Sequence, residues 1–464
     1  MRCLLFALSL MCAGPAFAQA DPDAAQRAEA RAILARSIAF HTSESAGQTP
    51  AYAVYLRDLF VSAGVPAADT LIVPYERTAA LLVRYRGDGS GPRPILLMAH
   101  MDVVEAKRED WERDPFTLVE ENGFFYGRGV FDNKSGLVTL TSTLLRLKRE
   151  GFVPTRDLVV AYTGDEETSG ATARKLLAEH RHDWLDVEYA LNTDAGQGTL
   201  DETSGAATIY AMQTAEKTFS SYTLTAVNPG GHSSQPRADN AIYDLMDALG
   251  RVRAYQFPVM WNDTTIAAFR IGGQTEHGAL GQAMMRFAER PDDPRAAATL
   301  SASPFHVGQL RTTCIPTLLE AGHADNALPQ RAVATVNCRI FPGVSIADVQ
   351  AQLQRLAGET ITVATRDTYY SSDASPLRED LMGAVTSAVH ANHPGIPVTP
   401  AMSAGATDGA FYRGGGIPTY GVGEMFIKDS DDFSHGLNER IPVESFYTGL
   451  THYRVLLQEL VGRR

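Results

Sequence analysis

Between Pro94 and Asp194, short and nearly unbroken apolar runs alternate with stretches in which leucines recur at helical spacing. The runs 95–98, 158–162 and 187–191 predict strands. Because they do not alternate with polar residues, they predict a sheet covered on both faces. Leu137, Leu140, Leu144 and Leu147 predict a helix from about Lys134 that stops at Gly151, and a second helix is expected near 171–180. The pattern is that of an α/β domain with a central mixed sheet.

The middle of the chain, 213–367, has a different grammar. Residues 222–227 read as a strand, 240–255 as a helix, 312–320 and 332–340 as strands, 345–356 as a helix and 360–364 as a strand. This is a βαββαβ order, interrupted by a polar helical excursion at about 280–298. An inserted α+β domain at 213–367 is therefore expected, dividing a larger domain into 19–212 and 368–464. After it, a helix at 377–392, the run Gly414-Gly415-Gly416 and a strand at 417–420 return to the α/β style.

The N-terminus changes the picture of where this chain resides. Arg2, an apolar run of about 12 residues and Ala16-Phe17-Ala18 have the three-part form of an export signal, too short for the roughly 20 residues that span a bilayer. Cleavage after Ala18 and a periplasmic or extracellular location are expected, with residues 1–18 as the signal. Cys3 and Cys12 fall inside it, so Cys314 and Cys338 are the remaining cysteines, too few for a thiolate metal cage; whether they pair is left open by the sequence. The net charge of −13 argues against a nucleic-acid or anionic-membrane surface. No other stretch is long and apolar enough to span a membrane.

The candidate chemistry lies at strand ends. His100 and Asp102 follow the first clear strand, and Asp132 lies in Gly127-Arg128-Gly129-Val130-Phe131-Asp132. Asp165-Glu166-Glu167 follow the next strand, and Asp194 ends another. Ligands of open α/β sheets bind beyond the carboxyl ends of strands, so these residues can converge although distant in sequence. Imidazole plus carboxylate without thiolate suits zinc or another divalent first-row metal, and the number of acids suits two ions, with one carboxylate bridging. His435, in Ser434-His435-Gly436-Leu437-Asn438-Glu439, completes the set.

In this order and spacing, His100-Met101-Asp102, the Gly-Arg-Gly-x-x-Asp stretch, Asp165-Glu166-Glu167, Asp194 and His435-x-x-Asn438-Glu439 resemble the M20 family of zinc peptidases across nearly the whole mature chain. The resemblance implies a zinc-peptidase catalytic domain carrying a lid domain, and two zinc ions, with cobalt or manganese as alternatives. His100, Asp132 and Asp194 would hold one ion; Asp132, Glu167 and His435 would hold the other. Glu166 would be the general base acting on the bridging water, Asp102 would orient the His100 ring, and the peptide bond after Asp132 is often cis in the family. This chain has Asn133 where many relatives have a second acid. Within the lid, His232 in Gly230-Gly231-His232-Ser233-Ser234 matches the oxyanion-holding histidine, often supplied across a dimer; Asn326 and Arg339 match positions that contact the substrate. Gly405 and Thr407, in Gly405-Ala406-Thr407-Asp408, match the substrate floor.

The resemblance implies cleavage of an amide bond in a small peptide, in the manner of a carboxypeptidase or dipeptidase. The competing enzymatic reading is an N-acyl amino acid amidohydrolase, and the competing non-enzymatic one is a metal-bearing binding protein. The expected partners are the small substrate and a second copy of the chain through the lid.

Overall fold

The computed structural model describes residues 22–366 and 371–463. The expected signal at 1–18, with Cys3 and Cys12, and the expected boundary at 367/368 lie outside the described residues.

Among these residues a ten-stranded sheet is the larger scaffold. Its order is Thr70–Tyr75, Thr78–Tyr85, Leu158–Thr163, Ile95–His100, Tyr189–Asn192, Thr419–Gly421, Ala207–Glu216, Gln197–Leu200 and Phe426–Ile427, with Val398–Ser403 paired to Ala207–Glu216. The sheet is mixed: Ile95–His100 runs parallel to both its neighbours, whereas Thr78–Tyr85 is antiparallel to Leu158–Thr163. Leu81, Val83, Ile95, Leu97 and Val160 pack on one face, under the helices Ala24–Ile38, Thr49–Ser62, Lys134–Arg149, Glu379–His390 and Val443–Val461. Leu82, Leu96, Met98, Val159 and Ala161 pack on the other, under Ala171–Glu179 and Gly409–Gly414. Burial on both sides is why these strands read as continuous apolar runs.

The second sheet is antiparallel, in the order Thr313–Ala321, Arg331–Ile340, Thr218–Val227 and Ile361–Thr365. The helices Ala241–Ala254 and Ile346–Ala357 share its core of Tyr222, Leu224, Leu245, Val336, Val349 and Leu353. The strand and helix order is the βαββαβ pattern read from the sequence. Cys314 and Cys338 face each other across two of these strands and are joined as a disulfide.

The helical excursion is larger than its pattern suggested. It comprises Asp263–Thr275, Gly278–Glu289, Pro294–Ser301 and Pro304–Val307, with a separate core that includes Phe269, Phe287, Leu300 and Leu310. Gly272 and Gly273 interrupt the apolar periodicity of the first of these helices, yet a reciprocal cap between Asn262 and Thr265 starts it. That helix packs against Val398–Ser403, and the Thr264 and Thr214 hydroxyls lie 2.6 Å apart. A small third sheet, Arg440–Pro442, Phe124–Tyr126 and Val119–Glu121, ties the C-terminal segment to the loop before Asp132. No helix among the described residues is long and apolar enough to cross a membrane.

Candidate metal centre

Strand register decides which side chains meet. His100 is the last residue of its strand and pairs with Thr163, while Met98 pairs with Asn192 of the other neighbour. The turn holding Glu166 and Glu167, and Asp194 just past Asn192, therefore emerge beside His100 at one sheet edge. Asp132 reaches this edge from the 127–133 loop, and His435 from the C-terminal segment.

His100 Nε2 lies 2.9 Å from Asp132 Oδ1 and 3.4 Å from Asp194 Oδ1. His435 Nε2 lies 3.0 Å from Asp132 Oδ2 and 2.9 Å from Glu167 Oε2. Asp132 thus turns one oxygen toward each imidazole, the disposition a bridging carboxylate needs. Ligand atoms of His100, Asp132 and Glu167 fall within 4.8 Å of one another, and so do those of His100, Glu166 and Asp194. Glu166 therefore stands as close to a potential ion position as the acids expected to be ligands. The Asp132–Asn133 peptide bond is cis. Asn133 Nδ2 donates to Asp194 Oδ1 at 3.2 Å and its Oδ1 accepts from Thr193 Oγ1 at 2.7 Å, so the asparagine braces Asp194.

Asp102 divides its work. His100 Nδ1 is 3.1 Å from the Asp102 carbonyl and 3.6 Å from its carboxylate. The carboxylate instead accepts the amides of Glu166 and Glu167 at 3.1 and 2.9 Å, fixing the turn that presents both acids. Asp165, next to them, accepts from Ser169 and from the amides of Ala171 and Thr172, where it anchors the start of the helix Ala171–Glu179.

The sequence reading assigned no task to Glu439, although it closes the His-x-x-Asn-Glu motif. It is fully buried. Its carboxylate accepts the amides of Gly129, Phe131 and Asp132 at 3.0, 2.8 and 3.0 Å and the Arg128 guanidinium at 2.6 Å. Arg128 in turn donates to the Gly436 carbonyl at 3.0 Å. One ion pair therefore holds the Asp132 loop and the His435 loop together. Asp408 is the other omission: it is buried, with Oδ2 accepting from the Thr163 hydroxyl.

The electrostatics fit cations. Burial pushes Glu166 well above the usual carboxyl range and Asp194 up to about 7. Burial opposes the charged form of His100, but Asp194, Asp102 and Asp132 carry it well above its ordinary value; hydrogen bonds to Asp132 and Glu167 raise His435 to about 10. Protons are drawn to both acids and imidazoles because so many desolvated carboxylates face one another, and divalent ions on the same oxygen and nitrogen donors would replace those protons. The donor set, two imidazoles and several carboxylates, is that of a zinc-type site.

The expected substrate residues of the inserted sheet are not gathered at this centre in the same way. His232 lies exposed in the short pairing of Gly231–His232 with Ala327–Leu328, its Nδ1 2.8 Å from Ser234 Oγ, and Asn326 lies beside it, accepting the Ser233 amide. Arg339 donates to the Ala404 carbonyl at 2.9 Å and stacks over Phe219. It is thus tied to the segment holding Gly405 and Thr407. Gly405 is exposed, while Thr407 donates to the buried Glu216 at 3.0 Å.

Residues 96–459 match the family described as peptidase family M20/M25/M40. The chain is 28% identical to the human (Homo sapiens) N-fatty-acyl-amino acid synthase/hydrolase PM20D1, over 80% of this chain and 75% of the relative. It is 24% identical to the probable carboxypeptidase S-like 2 of Dictyostelium discoideum, over 82% and 74%. Its fold superimposes on the M20 family metallo-carboxypeptidase Sso-CP2 of Sulfolobus solfataricus with a TM-score of 0.72 and 16% identity, covering 93% of this chain and 98% of that one.

Proposed function

The chain belongs to peptidase family M20/M25/M40, and from that premise we propose that it hydrolyses the amide bond of a small peptide as a carboxypeptidase or dipeptidase. The observation that carries this reading is the convergence of His100, Asp132, Glu167, Asp194 and His435 at one sheet edge with Glu166 alongside.

His100, Asp132 and Asp194 would hold one zinc ion and Asp132, Glu167 and His435 a second. When bound, the ions polarise the scissile carbonyl and make a water acidic enough to attack near neutral pH. The rest of the chemistry belongs to the chain. Glu166, a carboxyl standing beside the ligand acids, takes the proton of the attacking water and delivers it to the leaving amine. Asp102 keeps Glu166 in place through its amide. Arg339, anchored at Ala404, receives the substrate carboxylate beside Gly405 and Thr407. His232 and Asn326 supply donors to the carbonyl oxygen when the inserted domain covers the site, and that closure excludes water. A second copy paired through the inserted sheet and export by way of residues 1–18 belong to the same proposal.

A second reading, hydrolysis of an N-acyl amino acid, is favoured by the likeness to the N-fatty-acyl-amino acid synthase/hydrolase. Both reactions release an amino acid with a free carboxylate. The zinc-loaded protein, assayed against dipeptides, C-terminally blocked peptides and N-acyl amino acids, is expected to cleave substrates with a free carboxylate. Glu166→Gln, with its metal content unchanged, is expected to lose about 10³-fold in kcat. A Glu166→Gln enzyme as active as the wild type would remove the proton-transfer role, and a fully metallated wild type that cleaves nothing would remove the hydrolase reading.

A further inference from the structure

Asp194 is held from two directions. Asn133 donates to its carboxylate, and its own amide donates to Asn192 Oδ1 at 3.1 Å, closing an Asx turn where the strand Tyr189–Asn192 ends. The far end of the Asn192 side chain leads away from the metal centre, with Nδ2 3.4 Å from Thr407 Oγ1. Thr407 Oγ1 lies 3.0 Å from Glu216 Oε2 and accepts the Gly409 amide at 3.0 Å. Glu216 Oε2 also accepts Gln213 Nε2 at 3.2 Å, while its Oε1 is paired with the Arg413 guanidinium. Asn192, Glu216 and Arg413 are all buried.

The donors and acceptors allow one direction only. Burial pushes the Glu216 carboxyl up, but Arg413 opposes that and holds it as a carboxylate, which can only accept. Thr407 has a single hydroxyl proton and gives it to Glu216. Its oxygen is then left as the acceptor for Asn192 Nδ2, and this turns Asn192 Oδ1 toward the Asp194 amide. With the side-chain amide reversed, two donors would meet at Asp194 and two acceptors at Thr407, each unpaired in a buried setting. The chain therefore runs from the Arg413–Glu216 pair through Thr407 and Asn192 to the backbone of an expected metal ligand, and each member polarises the next.

The packing closes around the same residues. A Cβ on Gly409 would fall 2.9 Å from Thr407 Oγ1 and 3.3 Å from an Arg413 nitrogen, so a glycine stands where these two side chains meet. Glu216 is also the last residue of the strand Ala207–Glu216. Lys217, the next residue, is fastened to the inserted domain through the Arg311 carbonyl and the Thr313 hydroxyl.

We propose that Glu216, at the root of the inserted domain, is a positioning residue for the metal centre: it fixes the Thr407 hydroxyl and, through Asn192, the backbone of Asp194, and so sets how tightly one of the two ions is held. The inference rests on the hydrolase reading above and deepens it. The ion concerned is the one assigned to His100, Asp132 and Asp194.

The test titrates zinc into the metal-free full chain, in competition with a chelator and without substrate, so that Thr407 reports on the ions alone. Two matched pairs of variants separate hydrogen bonding from packing. Thr407→Val keeps the shape and loses the hydroxyl, and is expected to weaken one ion about tenfold and leave the other within about twofold. Thr407→Ser keeps the hydroxyl and is expected to bind both ions within about twofold of the wild type. Changing Glu216 alone would strand the buried Arg413, so both charges are removed together. Glu216→Met with Arg413→Met is expected to lose about tenfold on the same ion; Glu216→Gln with Arg413→Met, whose amide oxygen still accepts from Thr407, is expected to recover to within about threefold. Wild-type affinity for both ions in Thr407→Val or in the methionine pair would overturn the proposal. So would conservative variants as weak as the disrupted ones, since the effect would then be packing. If the methionine pair does not fold, the Thr407 pair decides alone. Cleavage of leucyl-leucine and its N-acetyl form is followed on the zinc-loaded wild type. Two ions bound without cleavage of either peptide defeats the hydrolase reading and leaves the positioning role to the titrations; a wild type that cleaves, with variants that bind zinc as it does, defeats the positioning role alone.

Discussion

The central-sheet edge and the inserted sheet bring residues to the candidate site under opposite mechanical conditions. At the sheet edge, each expected ligand follows a buried strand or a loop fixed by the Glu439–Arg128 pair, and the donors lie within hydrogen-bond distance of one another. In the inserted segment, His232 lies on an exposed two-residue pairing separate from the four-stranded sheet, with Asn326 just beside it, and Thr313–Ala321 is an edge strand of that sheet with Ile315, Leu318 and Leu319 in solvent. The first region is preorganised, so its geometry is visible in a single structure. The second lies exposed, and under the function proposed above its residues would acquire their partners only when substrate or another surface arrives.

The largest expected effect separates the two regions at Glu439. Glu439→Ala leaves Arg128 and the amides of Gly129, Phe131 and Asp132 without their acceptor, and should destabilise the fold by about 3–5 kcal/mol and weaken metal binding, read by chemical denaturation and by metal titration. An intact metal affinity in this variant would show that the Asp132 loop is held by other means. Next is the inserted sheet: replacing Cys314 and Cys338 together by alanine opens a loop with a sequence separation of 24 and should cost about 3 kcal/mol in thermal or denaturant unfolding, with metal affinity unchanged. Coupled loss of metal would mean that the two regions are one mechanical unit. Smaller still, Arg339→Ala should raise KM for substrates with a free carboxylate about tenfold while kcat changes little, and C-terminally amidated substrates should not notice it.

The last expected effect is a slope with pH and concerns the junction. Lys217 follows the last residue of Ala207–Glu216, donates to the Arg311 carbonyl and Thr313 hydroxyl, and is held down to about 7, chiefly by burial and then by Arg339. Its unfolded value is higher, so between the two the unfolded chain carries the extra proton and stability rises with pH. That contribution is full above the unfolded value and is lost as pH falls toward 7. Lys217→Met should flatten the rise in stability measured between about pH 7 and 10; an unchanged slope would show that Lys217 keeps its proton in the folded protein.

Much of the central scaffold was legible because two-sided burial forces unbroken apolar strands and a leucine stripe marks the covering helix, Lys134–Arg149. The strands of the βαββαβ unit are covered on one face only, and Thr218–Val227 and Arg331–Ile340 accordingly alternate buried and less buried positions over much of their length. Ala24–Ile38, Thr49–Ser62 and Val443–Val461 were not anticipated. The first has almost no amphipathic contrast in its AAQRAEARAILARSI sequence, and all three are placed by contacts with residues far along the chain. The extent of the helical excursion was hidden by glycines inside Asp263–Thr275. At the site, His100, Asp132, Glu166, Glu167, Asp194 and His435 could be named from their order and strand context. The task of Glu439 could not, since its partners Arg128 and the amides of Gly129, Phe131 and Asp132 lie some 300 residues earlier in the chain.

The sequence by itself determined the chemical inventory and the edge at which it gathers, because donor types are fixed by residue identity and strand ends by local hydrophobicity. Only the tertiary structure decided how that inventory is held. Glu439 meets Arg128 across 311 residues, Cys314 meets Cys338 by strand register, and Asp102 meets the amides of Glu166 and Glu167 across the sheet edge. Such pairings depend on distances between segments that no local pattern records.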